Sequence, residues 1–120
     1  MLTLSSVMIG SSDAKKLAEF YEKVIEKKPD MEESGWYGWS LGNCFLSIGN
    51  HSEVKGKSKN PERIMFNFET KDIKGEFDRI KSCGATVVAE PYSMSDAKDP
   101  DVATLADPDG NYFQLMRPWE

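Results

Sequence analysis

Two aspartates placed to cap helices, Asp13 and Asp72, stand 59 residues apart, and the same interval separates Ser6 from Met65 in the apolar runs ahead of them. A chain of 120 residues that writes one pattern twice reads as an internal repeat. The first pattern opens at residues 2–9, where Leu4, Val7, Met8 and Ile9 follow one another without a breaker. Such a run predicts a strand buried on both faces, ended by Gly10 to Ser12. Beyond Ser12 or Asp13, either of which suits an N-cap, Ala14, Leu17, Ala18, Tyr21, Val24 and Ile25 recur at three and four residues. This is the period of a helix with one buried face, and Pro29 is its predicted stop. An acidic loop with Asp30, Glu32 and Glu33 leads to Gly35. Residues 36–41 and 44–48 then read as a hairpin about Gly42 and Asn43.

After a polar loop over residues 50–61 the order recurs. Residues 63–69 read as a strand with Ile64, Phe66 and Phe68 on one face and Met65, Asn67 and Glu69 on the other. Asp72 opens a helix through Ile73, Phe77 and Ile80, weakened by Gly75 and ended at Gly84. Residues 86–89, 102–106 and 112–116 supply three more strands, with residues 90–100 as a loop between the first two. The class is α+β. An unduplicated α+β sheet would give a similar alternation, so the order of elements alone leaves that alternative open.

The last strand is reached through Ala106-Asp107-Pro108-Asp109-Gly110-Asn111. Pro108 presets φ at the second position of a turn, Asp109 suits the third, and Gly110 takes the positive φ that reverses the chain. Tyr112-Phe113-Gln114-Leu115 then carries a polar residue inward. This turn and strand, with Phe20-Tyr21-Glu22-Lys23-Val24-Ile25 near the front, resemble the glyoxalase/bleomycin-resistance/extradiol-dioxygenase group, the vicinal-oxygen-chelate superfamily. The resemblance covers nearly the whole chain, about 1–60 as one module and 61–120 as the other. It implies two βαβββ modules in a single domain, each a cupped mixed sheet with its helix on the convex side.

Metal-using members of that superfamily place one ligand on each of four strands. Carried onto this sequence, those positions fall on Ser6, Ser47, Met65 and Gln114, with Leu46 the alternative to Ser47 if the register slips by one. Divalent ions want imidazole or carboxylate ligands, and hydroxyls, a thioether and an amide offer little charge against the ion's desolvation. No metal and no cofactor are therefore expected. The inward face of the implied cavity would carry Met8, Phe45, Met65, Asn67, Glu69, Tyr112 and Gln114. Trp36 would lie on one side of its strand with Gly38, and Tyr37 and Trp39 on the other. Ser6, Met8, Trp36, Phe45, Ser47, Met65, Asn67, Tyr112 and Gln114 are the candidate ligand-binding residues, an apolar and aromatic lining with a few polar fixers.

Two function classes fit. The first is a metal-free binding protein of the bleomycin-resistance type, taking a small aromatic or cationic molecule. The second is an enzyme: a metal-dependent lyase, isomerase or dioxygenase, or a metal-independent acid–base catalyst using Glu69. Asp96, Asp99 and Asp101 could draw a cation to the rim. His51, the one histidine, reads as a surface residue of the polar loop.

The remaining composition narrows the partners. A net charge of −5 argues against a nucleic-acid surface, and Lys55, Lys57 and Lys59 read as a solvated loop. Cys44 and Cys83 have no metal-like spacing and read as core thiols. No apolar run approaches the roughly 18 residues of a membrane helix, and residues 1–9 lack the pattern of a signal peptide. The cytoplasm is the expected compartment. A homodimer is expected on size, because so short a chain encloses a sizeable cavity with difficulty.

Overall fold

The structure, a computed structural model, describes residues 1–95 and 98–118. The chain divides into two units, Met1–Gly56 and Lys57–Glu120. The first contains β1 (Ser6–Ser11), α1 (Ala14–Ile25), β2 (Met31–Glu33), β3 (Trp36–Leu41) and β4 (Cys44–Asn50). Its sheet runs in the order β1-β4-β3-β2, with β1 parallel to β4 and the other pairs antiparallel. The second contains β5 (Phe66–Glu69), α2 (Ile73–Ser82), β6 (Thr86–Tyr92), β7 (Val102–Ala106) and β8 (Tyr112–Met116). Here the order is β5-β8-β7-β6, with β5 parallel to β8. The α+β class and the two βαβββ modules are thus present.

The duplication reaches individual hydrogen bonds. The Asp13 carboxylate accepts from the Lys16 amide at 3.3 Å, and the Asp72 carboxylate accepts from the Gly75 amide at 3.0 Å. Two residues ahead of each cap, Ser11 Oγ accepts from the Asp13 amide and Thr70 Oγ1 from the Asp72 amide. Each pair of equivalents is again 59 apart. These contacts satisfy donors that a helix N-terminus leaves without intrahelical partners. Gly75, read from sequence as a weakness, sits where a Cβ would collide with the Asp72 carboxylate. The glycine makes room for the cap.

Each helix covers one face of its sheet. In the first unit, α1 buries Leu17, Phe20, Tyr21 and Val24 across β1, β3 and β4, whose Ile9, Trp39, Leu46 and Ile48 are also buried. Trp39 is wholly buried, and its indole nitrogen donates to the Lys27 carbonyl at 2.8 Å. In the second unit, α2 buries Ile73, Phe77 and Ile80. Phe66, Phe68 and Phe113 form a three-ring cluster, two pairs edge to face and one stacked, with centroids 5.5 to 6.1 Å apart. Phe20, absent from the apolar period read in the sequence, is buried with its ring edge-on to Tyr21.

Several boundaries differ from the sequence reading. β1 starts at Ser6 rather than Leu2, and Leu2 and Leu4 are exposed, because β4 pairs with β1 only from Phe45 onward. Gly10 and Ser11, expected to end β1, belong to it. Nor is β1 buried on both faces: Met8 is 60% exposed. Met31–Glu33, read as loop, pairs with β3. β5 starts at Phe66 rather than Arg63, because residues 60–63 form a turn closed by the Arg63 amide on the Asn60 carbonyl. β6 continues through Pro91 to Tyr92, which an edge strand tolerates since its outer amides need no partner. Finally, α1 ends with Glu26 in the left-handed region, φ 62°, before Pro29 is reached.

Candidate binding face

Register fixes which side chains share the helix-free face of the first sheet. Reading across the strands, one row is Gly10, Gly49, Trp36 and Glu33, from β1, β4, β3 and β2 in turn. The next row is Met8, Ser47, Gly38 and Met31, and the third is Ser6, Phe45 and Ser40. Ser47 therefore lies on this face, and Leu46 points to the helix side, where it is buried.

Two glycines give the face its surface. A Cβ on Gly49 would fall inside the Trp36 indole, with three atoms of the fused ring nearest to it. The indole is laid down over the Gly49 backbone. In the same way the Phe45 ring occupies the space above Gly38, and the Met31 methyl approaches that space to 3.3 Å. Rings that stood upright would bury their edges; rings laid on the backbone present a π surface. Trp36, Phe45 and Met31 remain half-exposed, and Met8 beside them is more open.

Beyond the end of the first row the chain turns back. The Gly10 position is covered by His51 Cβ, 3.1 Å from where a Cβ would be, and by Val54. His51 is held by its backbone, which donates to the Ser11 carbonyl at 3.0 Å and accepts from the Val54 amide at 3.0 Å. Its Nδ1 accepts from the Glu53 amide at 3.1 Å. The sequence reading left His51 and Met31 out; for Met31 the missed signal was the alternation Met31-Glu32-Glu33 ahead of a strand.

The equivalent face of the second sheet carries Asn67 and Glu69 on β5, Tyr112, Gln114 and Met116 on β8, and Val102, Thr104 and Ala106 on β7. Gln114 pairs with Asn67 as Ser47 pairs with Met8, so the two are structural equivalents. The Gln114 amide donates to Thr104 Oγ1 at 3.1 Å. Asn67 and Glu69 are exposed, and Met65 lies ahead of β5 at 37% exposure. At the turn into β8, the buried Asp107 carboxylate accepts from the amides of Asp109 and Asn111 and from the Asn111 side chain. Gly110 takes φ 79°. Asp96 lies outside the described residues; Asp99 is exposed, and the Asp101 carboxylate is engaged by the Met94 amide at 2.9 Å.

The donor set is poor for a divalent ion. Ser6, Ser47, Met65 and Gln114 carry no charge. Among the described residues, no group of three or more His, Cys, Asp or Glu side chains could hold an ion. The four positions do not fit a metal centre of the superfamily type. Also among the described residues, no helix is long and apolar enough to cross a membrane.

Paired βαβββ modules, each with a four-stranded mixed sheet and one covering helix, define a protein of the vicinal-oxygen-chelate class. This chain belongs to the glyoxalase-like domain family, whose pattern it matches over residues 6–116. Solved structures carry the same fold. A glyoxalase/bleomycin resistance protein/dioxygenase family enzyme from Burkholderia phytofirmans is 20% identical, with 97% of this chain and 98% of that one covered at a TM-score of 0.76. A glyoxalase/bleomycin resistance protein from Albidiferax ferrireducens is 17% identical, with 96% and 98% covered at 0.75. The fosfomycin resistance protein FosX from Listeria monocytogenes, complexed with Mn(II) and a dihydroxypropylphosphonic acid, is 16% identical, with 97% and 90% covered at 0.70. At these identities the likeness is one of fold. No curated protein matches the sequence.

Proposed function

We propose that the protein binds a small planar molecule, aromatic or cationic, on the helix-free face of its first sheet, without a catalytic metal. One observation carries the reading: Gly38 and Gly49 let the Phe45 and Trp36 rings lie over the strand backbone as an aromatic floor flanked by Met8 and Met31. A planar ligand stacked there exchanges water for ring contact, and a cation is favoured because Glu33 shares a row with Trp36. Ser6 and Ser47 supply neutral hydrogen-bonding groups on the same face. Asn67, Tyr112 and Gln114 lie on the equivalent face of the second sheet. Glu69 lies exposed at the end of β5 on that second sheet. The proposed partners are this small molecule and a second copy of the chain.

Tryptophan fluorescence titrated with planar aromatic and cationic compounds tests the reading. Saturable quenching is expected for the wild type and its loss for Trp36→Leu, both read in a Trp119→Phe background that removes the third tryptophan, whereas Trp39 is buried and contributes a constant background. No saturable change across the panel would overturn the proposal.

A further inference from the structure

We infer that His51 is a specificity-determining residue of the aromatic floor, donating a hydrogen bond from Nε2 to a carbonyl oxygen at the edge of a planar ligand. The inference rests on the binding face proposed above and narrows its ligand to planar molecules that carry such an acceptor.

Position comes first. Gly10 and Gly49 are register partners on adjacent parallel strands, about 4.8 Å apart. His51 Cβ and Cγ stand over Gly10, at 3.1 and 3.7 Å from where a Cβ would be, and the indole lies over Gly49. Root of imidazole and face of indole are therefore neighbours on one surface. A side chain on Gly10 would press His51 and Val54 back by a few tenths of an ångström.

Preorganisation comes second. Three hydrogen bonds hold His51: its amide to Ser11, its carbonyl from Val54, and its Nδ1 from the Glu53 amide. Because a backbone N–H points at Nδ1, that nitrogen is the acceptor, and in the neutral ring the proton sits on Nε2. His51 is an exposed residue, which leaves its ring reachable from solvent. A fixed ring loses little conformational freedom on binding, and its remaining polar atom is a donor. The complementary ligand group is an acceptor: the oxygen of an aromatic ketone, amide or quinone.

The sole histidine gives the protein a single set of imidazole signals, so NMR reads the contact directly. Titration with 2-acetylnaphthalene and with its hydrocarbon analogue 2-ethylnaphthalene is expected to shift the Trp36 indole N–H with both compounds. The His51 Nε2 signal should respond to the ketone as a hydrogen-bond donor would, and not to the hydrocarbon. His51→Phe keeps a ring over Gly10 and removes the donor; the ketone should then bind about fivefold more weakly, as expected for one neutral hydrogen bond, while the hydrocarbon is unaffected. If the ketone moves Trp36 but leaves His51 silent, and His51→Phe binds both compounds as before, the inference is overturned and the floor stands. If neither compound produces a saturable shift, the floor itself is lost, and His51 with it.

Discussion

Gly49 and Gly38 show how a residue without a side chain can define a surface. Neither has the positive φ that makes glycine obligatory. On backbone grounds alone, alanine at either position would stabilise the fold by about 0.4–1 kcal/mol through the unfolded chain. Space decides otherwise, because the added methyl would meet the Trp36 or Phe45 ring. We expect Gly49→Ala to lower stability by about 1–3 kcal/mol, the usual cost of overpacking, as read from urea unfolding. In a Trp36→Ala background the same substitution should become neutral or stabilising. An equal loss in both backgrounds would show that the indole is not what fills the space. Sequence alternation was enough to set Trp36 apart from Tyr37 and Trp39 and to turn Phe45 inward, but it gave no role to the glycines. Their role lies in cross-strand register, which no single strand encodes. His51 was set aside for the same kind of reason: a lone loop histidine has meaning only once Gly10 is seen beneath it.

At the scale of elements, the joint between α1 and β3 is made by Asp30. Its carboxylate accepts from Lys27 Nζ and from the Ser40 amide, each at 2.8 Å, while its own amide donates to the Gly38 carbonyl. The hydrogen bond from Lys27, then that from Ser40, holds the carboxyl below its ordinary value of 3.8. A depressed folded-state value means that the charged form is favoured in the native protein. Its contribution is complete above the unfolded value and disappears as pH falls through the folded one. The urea midpoint of the wild type should therefore exceed that of Asp30→Asn at neutral pH, and the gap should close below about pH 3.8. A gap that is constant, or that widens in acid, would contradict the assignment. Asp30 was read only as part of an acidic loop, because its partners come from a helix end and a strand ten residues away. The helices and the β3–β4 hairpin were legible, since period and turn chemistry are local. The ends of β1 and β5 were not: apolar content carries a strand only as far as a neighbour pairs with it, and turns decide where pairing begins.

In the molecule as a whole, duplication could be seen in sequence through the cap aspartates, and it holds down to Ser11 and Thr70 as second-tier caps. The same symmetry makes Ser47 and Gln114 counterparts. The scaffold was legible because its two helices repeat their spacing. The ligand was not, because a binding surface is assembled from rows that cross four strands. The donor set leads to one more expectation. An ion bound at a hundred times its dissociation constant stabilises the folded state by about 2.7 kcal/mol. In a domain of this size each kcal/mol moves Tm by roughly 3–6 °C, so a genuine centre of micromolar affinity would raise Tm by about 10 °C at 0.1 mM ion. With Ser6, Ser47, Met65 and Gln114 in the ligand positions, Mn²⁺, Ni²⁺ or Zn²⁺ at that concentration should move Tm by less than about 1 °C. Because neutral donors leave most of an ion's desolvation cost uncompensated, a stabilisation of several degrees that chelator reverses would mean that other side chains complete a site, and metal-independent binding would have to be abandoned.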